Sequence, residues 1–174
     1  AGAVYVVFGK GTAWVSNTNL STLNGTTGFV INGVTAADQA GYSVSTAGDI
    51  NGDGYDDILI GAKYADKYVS DYPGAAYVVF GKASWGASFN LSSLTGANGF
   101  KMTGKSWSTS YSDNAGASVS NAGDVNGDGY DDIMIGAPRS NGNGAASGGS
   151  YLVFGSPNAF PANINLWSLT ACNF

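Results

Sequence analysis

The sequence predicts an all-β protein, and three observations carry that prediction. Twenty-seven glycines, ten tyrosines and many Val, Ser, Thr and Asn residues in 174 favour short strands and tight turns. Aromatic and β-branched residues suit a pleated surface, and Gly permits turn geometries. A composition 44% hydrophobic and only 11% charged supplies a sizeable core and argues against disorder. Short apolar runs recur between Gly or Asn-Gly punctuation, which reads as strand, turn, strand.

The runs belong to an internal repeat. "AVYVVFGK" at 3–10 returns as "AAYVVFGK" at 75–82 and as "GSYLVFGS" at 149–156. "NLSTLNGTTGFVING" at 19–33 returns as "NLSSLTGANGFKMTG" at 90–104, and "NLWSLTACNF" at 165–174 begins a third copy. The period is 71 to 75 residues. One unit reads as four strands, over 41–47, 57–62, 75–81 and 99–103. "YSVS" alternates, as a strand with one face on a core does, whereas "ILIGA" and "YVVFG" are nearly continuous apolar runs, expected of strands covered on both faces. Four antiparallel strands per unit is the size of a β-propeller blade.

The expected organisation is one repeat domain over 1–174: a partial blade at 1–33, a full blade at 41–104, and a blade at 116–174 whose last strand is truncated. Closed propellers have about four to eight blades, so roughly two and a half cannot close a ring. Unpaired strand edges attract other strands. The units are therefore expected either to be completed by neighbouring copies of the chain or to be a piece of a longer propeller.

Charge narrows the partners. A net charge of -5 with seven scattered cations leaves no basic stripe for nucleic acid or an anionic membrane. No apolar run approaches the roughly 20 residues of a membrane helix, and the opening "AGAVYVVFGK" reads as a mature or trimmed product. The lone Cys172 excludes an internal disulfide, and with His absent a Cys/His zinc site is excluded too. Asn19, Asn24 and Asn90 each open an N-x-Ser/Thr sequon. With neither His nor Glu, and no G-x-S-x-G elbow, a serine nucleophile lacks its usual base, so an enzyme is not expected.

All twelve acids are Asp, and eight fall in two copies of one stretch, "GDINGDGYDDILIGA" at 48–62 and "GDVNGDGYDDIMIGA" at 123–137. Asp49, Asn51, Asp53 and Asp57 occupy positions 1, 3, 5 and 9 of a loop whose position 6 is Gly54. Side-chain oxygens from those positions, with the main-chain carbonyl of Tyr55 at position 7, are the donor spacing of a calcium site. Asp124, Asn126, Asp128, Tyr130 and Asp132 repeat it, which predicts two Ca²⁺ sites. Two carboxylates about 4 Å apart repel by up to roughly 4 kcal/mol at an effective dielectric near 20, so a cation is expected to hold each loop shut. An EF-hand would need an acid at position 12, where Ile60 and Ile135 stand in strand-like runs. Asp56 and Asp131, at position 8, are expected to point away from the ion as supporting or turn-capping groups.

The ordered set "AGYSVSTAGDINGDGYDDILIGA" then "GAAYVVFG", and its second copy, resembles the FG-GAP repeat of the integrin α-subunit N-terminal propeller and its bacterial relatives. "GAK" at 61–63 departs from the Gly-Ala-Pro that "GAP" at 136–138 keeps. The resemblance implies propeller blades, calcium on the hairpin between the first two strands, and structural or adhesive roles at the cell surface or outside the cell. Two functions are expected from these readings: a secreted calcium-stabilised module that joins copies of itself, head to tail, into a filament; or part of a larger integrin-α-like propeller acting as a platform for an extracellular protein or glycan. Tyr5, Tyr77 and Tyr151 recur with the unit and read as packing residues, whereas Trp14, Trp85, Trp107 and Trp167 do not all share one repeat position.

Overall fold

The computed structural model describes residues 1–13, 16–66, 72–108, 111–141 and 146–169. Cys172, Trp14 and the end of the third "NLWSLTACNF" copy lie outside them. Thirteen strands occur among the described residues: β1 (Ala3–Val7), β2 (Gly28–Asn32), β3 (Ser43–Gly48), β4 (Asp57–Ala62), β5 (Ala75–Val79), β6 (Ser88–Asn90), β7 (Gly99–Thr103), β8 (Ser106–Ser108), β9 (Tyr111–Ser112), β10 (Ser118–Gly123), β11 (Asp132–Ala137), β12 (Gly149–Val153) and β13 (Asn163–Asn165). The all-β class and the blade architecture hold, and among the described residues the sheets do not close a ring.

The central sheet is the antiparallel meander β3-β4-β5-β7, in the order the repeat predicts. On one side β1 pairs with β2, as the third and fourth strands of a preceding unit would. On the other, β10-β11-β12 supply the first three strands of a following one. The sheets stack face to face. Leu59, Val78, Phe100 and Met102 pack on Ile133 and Ile135, while Ile60, Tyr77 and Val79 pack on Phe29 and Ile31. Covered on both faces, β5 is buried at all five positions.

Short elements that the sequence reading did not contain join one sheet to the next. β6 pairs parallel with β2, and β13 pairs parallel with β7, so a linker segment extends the outer edge of the sheet before it. An aromatic stack accompanies each pairing: Trp85 lies 4.0 Å from Phe29 at 9°, and Phe160 lies 4.5 Å from Phe100 at 11°. Trp85 and Phe160 are 75 positions apart, so the signal was present as an aromatic exchange rather than a conserved letter. Two sequons have structural work as well. Asn19 Oδ1 accepts the Ser21 N–H at 3.0 Å, and Asn24 Oδ1 accepts the Thr26 and Thr27 amides at 3.0 and 3.1 Å, holding local turns.

Candidate metal centre

Both Asp-rich loops are built by the same local devices. A bulge interrupts the ladder between Thr46 and Gly48, and again between Asn121 and Gly123, turning the chain out of β3 and β10. The Gly48 amide donates to Thr46 Oγ1 at 3.0 Å, and the Gly123 amide donates to Asn121 Oδ1. Within the first loop the amides of Asp53 and Gly54 donate to Asp49 at 3.0 and 2.9 Å, the Asp53 amide also reaches Asn51 Oδ1, and the Tyr55 amide donates to Asp53 Oδ1. The second loop repeats each bond among Asp124, Asn126, Asp128, Gly129 and Tyr130 and adds Gly127. The amides of Gly129, Gly127 and Asp128 hold the Asp124 carboxyl below the usual carboxylate range, chiefly through Gly129.

The position-9 acids serve as anchors. Asp57, 1% exposed, accepts the Ile50 amide at 3.2 Å and the Gly81 amide at 2.7 Å. Asp132, fully buried, accepts the amides of Val125 at 2.8 Å and Gly155 at 2.9 Å. Burial pushes the Asp57 carboxyl up to about 7 against those two donors, with Asp53 and Asp49 raising it further.

Backbone amides thus supply part of the positive counterpart that the sequence reading assigned to a cation alone. Among the described residues no three carboxylates stand as a ready-made metal cluster. The donor chemistry nevertheless fits a hard ion: every side chain concerned offers oxygen, and a carboxylate oxygen bonded to one amide keeps a second acceptor direction. The loops expose the side chains of positions 1, 3 and 5 at their tips, except the partly covered Asp49 and Asn51, and keep the position-9 acid buried at their base.

The position-8 acids differ from each other. Asp131 Oδ2 accepts the backbone N–H of Asp49, the first residue of the neighbouring loop, at 3.0 Å, and the Asp131 amide returns to Asp49 O at 3.4 Å. A Cβ at Gly48 would lie 2.0 Å from that carboxylate, and one at Gly52 would lie 2.4 Å from the Tyr130 ring. Asp56, at the matching position of the first loop, makes no such bond among the described residues.

Stacked sheets that repeat one strand order, two of them turning through an oxygen-rich hairpin between their first two strands, define a propeller-type repeat protein. A family model described as "FG-GAP repeat" matches residues 40–79 and 115–154, and the chain belongs to that repeat family. It is 37% identical over 100 residues to integrin alpha pat-2 of Caenorhabditis elegans, covering 58% of this chain and 7% of the relative. It is 33% identical over 143 residues to integrin alpha-6 of Gallus gallus, covering 79% and 11%. It is 35% identical over 137 residues to integrin alpha-PS2 of Drosophila melanogaster, covering 74% and 9%. The chain therefore spans about a tenth or less of the length of these relatives. Among the described residues no helix is long and apolar enough to cross a membrane.

Proposed function

We propose that this chain is a calcium-binding stretch of an integrin-α-like propeller that acts outside the cell as a structural and adhesive platform. The observation that carries the reading is the pair of loops with one donor set at identical positions, Asp49, Asn51, Asp53, Tyr55 and Asp57 matched by Asp124, Asn126, Asp128, Tyr130 and Asp132. When bound, Ca²⁺ supplies a divalent charge that neutralises each acid cluster. The chain's own residues do the rest: amides orient the tip carboxylates, buried Asp57 and Asp132 tie the loop bases to the following strands, and Asp131 links one loop to the other. Extracellular modules bind calcium with dissociation constants of roughly 0.1 to 1 mM, which cytosolic calcium does not reach. Calorimetric titration of the 174-residue chain is expected to give two sites, one being lost in Asp53→Ala and the other in Asp128→Ala. A stoichiometry of zero in the folded protein would sink the reading.

A second reading, association of copies through strand edges, has its own support. β1 and β12 are edge strands of their sheets among the described residues, and Tyr5, Val7, Met134 and Leu152 are exposed on them or beside them. Sedimentation and electron microscopy test it. Discrete monomers at micromolar concentration with calcium present reject it and leave the platform reading standing.

A further inference from the structure

We propose that the cleft at the opposite end of the sheets from the Asp loops binds an acidic sugar, a pyranose bearing a carboxylate. β3 runs into its Asp loop and β4 returns from it, so residues just before β3 and just after β4 lie at the far end. The same holds for β10 and β11. Between these two sets of loops is a cavity of about 750 Å³, a size that admits a sugar residue or two.

Three features of the lining point to one ligand chemistry. Among the described residues its charged lining side chains are both cations, Lys63 and Arg139, while Asp38, Asp66 and Asp113 stand beside lining residues without themselves lining it. Arg presents a planar fork matched to carboxylate. Its walls are aromatic: Lys63 Nζ sits 3.6 Å from the Tyr42 ring centre and 4.8 Å from that of Tyr64, whose ring meets Tyr72 edge-on at 5.1 Å. Tyrosine offers a flat apolar face with a polar tip, the surface a pyranose ring covers with its C–H face. Finally, Asn114, 6% exposed, donates from Nδ2 to Lys63 O at 3.1 Å, yet its buried Oδ1 has no hydrogen-bond partner among the described residues. Such an orphan acceptor calls for a donor, and a sugar hydroxyl is one.

Backbone strain concentrates at the same place. Ala37, Gln39 and Asn114 have φ of 72°, 57° and 52°, and they make three of the five non-glycine residues with positive φ among the described residues. Side-chain-bearing residues occupy that region at a cost, and such strain gathers at binding sites. A carboxylate for the cations, a ring face for the tyrosines and a hydroxyl for Asn114 are met together by a uronic or sialic acid residue. A neutral sugar lacks the first, and acetate lacks the other two.

Saturation-transfer NMR and calorimetry on the 174-residue chain in calcium buffer test the assignment. The probes are a disaccharide ending in glucuronate, its carboxyl-reduced neutral counterpart, and acetate. The expected result is saturable binding of the glucuronate alone, weakened about tenfold or more in Lys63→Gln, Arg139→Gln and Tyr64→Ala. Lys82→Gln, which removes a cation that does not line the cleft, should leave that affinity unchanged, and melting curves establish that each variant is folded. Equal binding of the neutral disaccharide, no glucuronate binding by the folded chain, or unchanged affinity in both Lys63→Gln and Arg139→Gln would overturn it. Failure here with a calcium-dependent melting shift intact leaves the calcium reading standing, and the reverse outcome separates the two equally well.

Discussion

The carboxylate of Asp131 accepts the backbone N–H of Asp49 at 3.0 Å, so the last turn of one Asp loop holds the first residue of the other. A bond to an ionised acceptor contributes about 1.5–3 kcal/mol. Asp131→Ala is therefore expected to destabilise the fold by about 2 kcal/mol in urea titrations. Asp56→Ala, without a matching cross-loop bond among the described residues, should stay within about 0.5 kcal/mol of the parent. Equal effects would show that the bond between loops contributes nothing.

The same carboxylate constrains Gly48. Gly48 has φ of 64° and no room for a Cβ, whereas Gly123, with φ of 68°, has nothing within 4 Å of one. Gly123→Ala is expected to cost the left-handed backbone alone, about 1–2 kcal/mol. Gly48→Ala adds a clash and should exceed it by about 1 kcal/mol or more. Comparing the two midpoints isolates the neighbouring loop's contribution.

Chelation gives a third expectation. At about 1 mM free calcium a 0.1 mM site adds around 1.4 kcal/mol, so two sites add near 3 kcal/mol. For a chain of this size that is a fall in Tm of about 6–12 °C on adding chelator. An unchanged Tm would count against both sites.

Asp38, 5% exposed, has its carboxyl pushed above the usual range, first by burial and then by Asp66, with the Thr35 amide and Lys101 opposing. The folded state therefore holds this proton more tightly than the unfolded chain. The stabilisation is fully present below the unfolded pKa and is lost as pH rises through the folded one. Asp38→Asn, which keeps an oxygen for the Thr35 amide, should raise Tm at pH 7 and flatten the decline between pH ~4 and 7. Parallel melting curves of parent and variant across that range would refute it.

Equivalent tyrosines should not be equivalent energetically. Tyr77 is 2% exposed and Tyr5 49%. Tyr77→Ala is expected to cost about 3–5 kcal/mol, and Tyr5→Ala about 1 kcal/mol or less. Denaturant midpoints of the two variants check this directly.

Much of the architecture was legible because the repeat writes local rules into the chain. The strands 57–62 and 99–103 begin and end where the sequence places them, since Gly and Asn-Gly punctuation fixes turns locally. β3 starts two residues later than expected, at Ser43, and β5 ends at Val79, two residues early, because ladder pairing rather than composition sets strand ends. The hydrogen-bonded form of the Asp loop was likewise legible as spacing, because positions 1, 3, 5 and 9 belong to one loop. The parallel pairings of β6 and β13, the stacks of Trp85 and Phe160 and the buried orphan of Asn114 were not, because each depends on a segment packing against a different unit.

What the sequence by itself determined, then, is the unit: its strand order, its turns and the oxygen-bearing side chains of its Asp loop, all fixed by interactions within one repeat. What only the tertiary structure decided is the environment of each copy. "AVYVV", "AAYVV" and "GSYLV" are near-identical strands, yet the first alternates between half-buried and exposed, the second is wholly buried and the third is largely open. The physical reason is that burial belongs to the neighbouring sheet and not to the strand. Asp131 differs from Asp56 on the same ground, since a neighbouring loop lies within its reach.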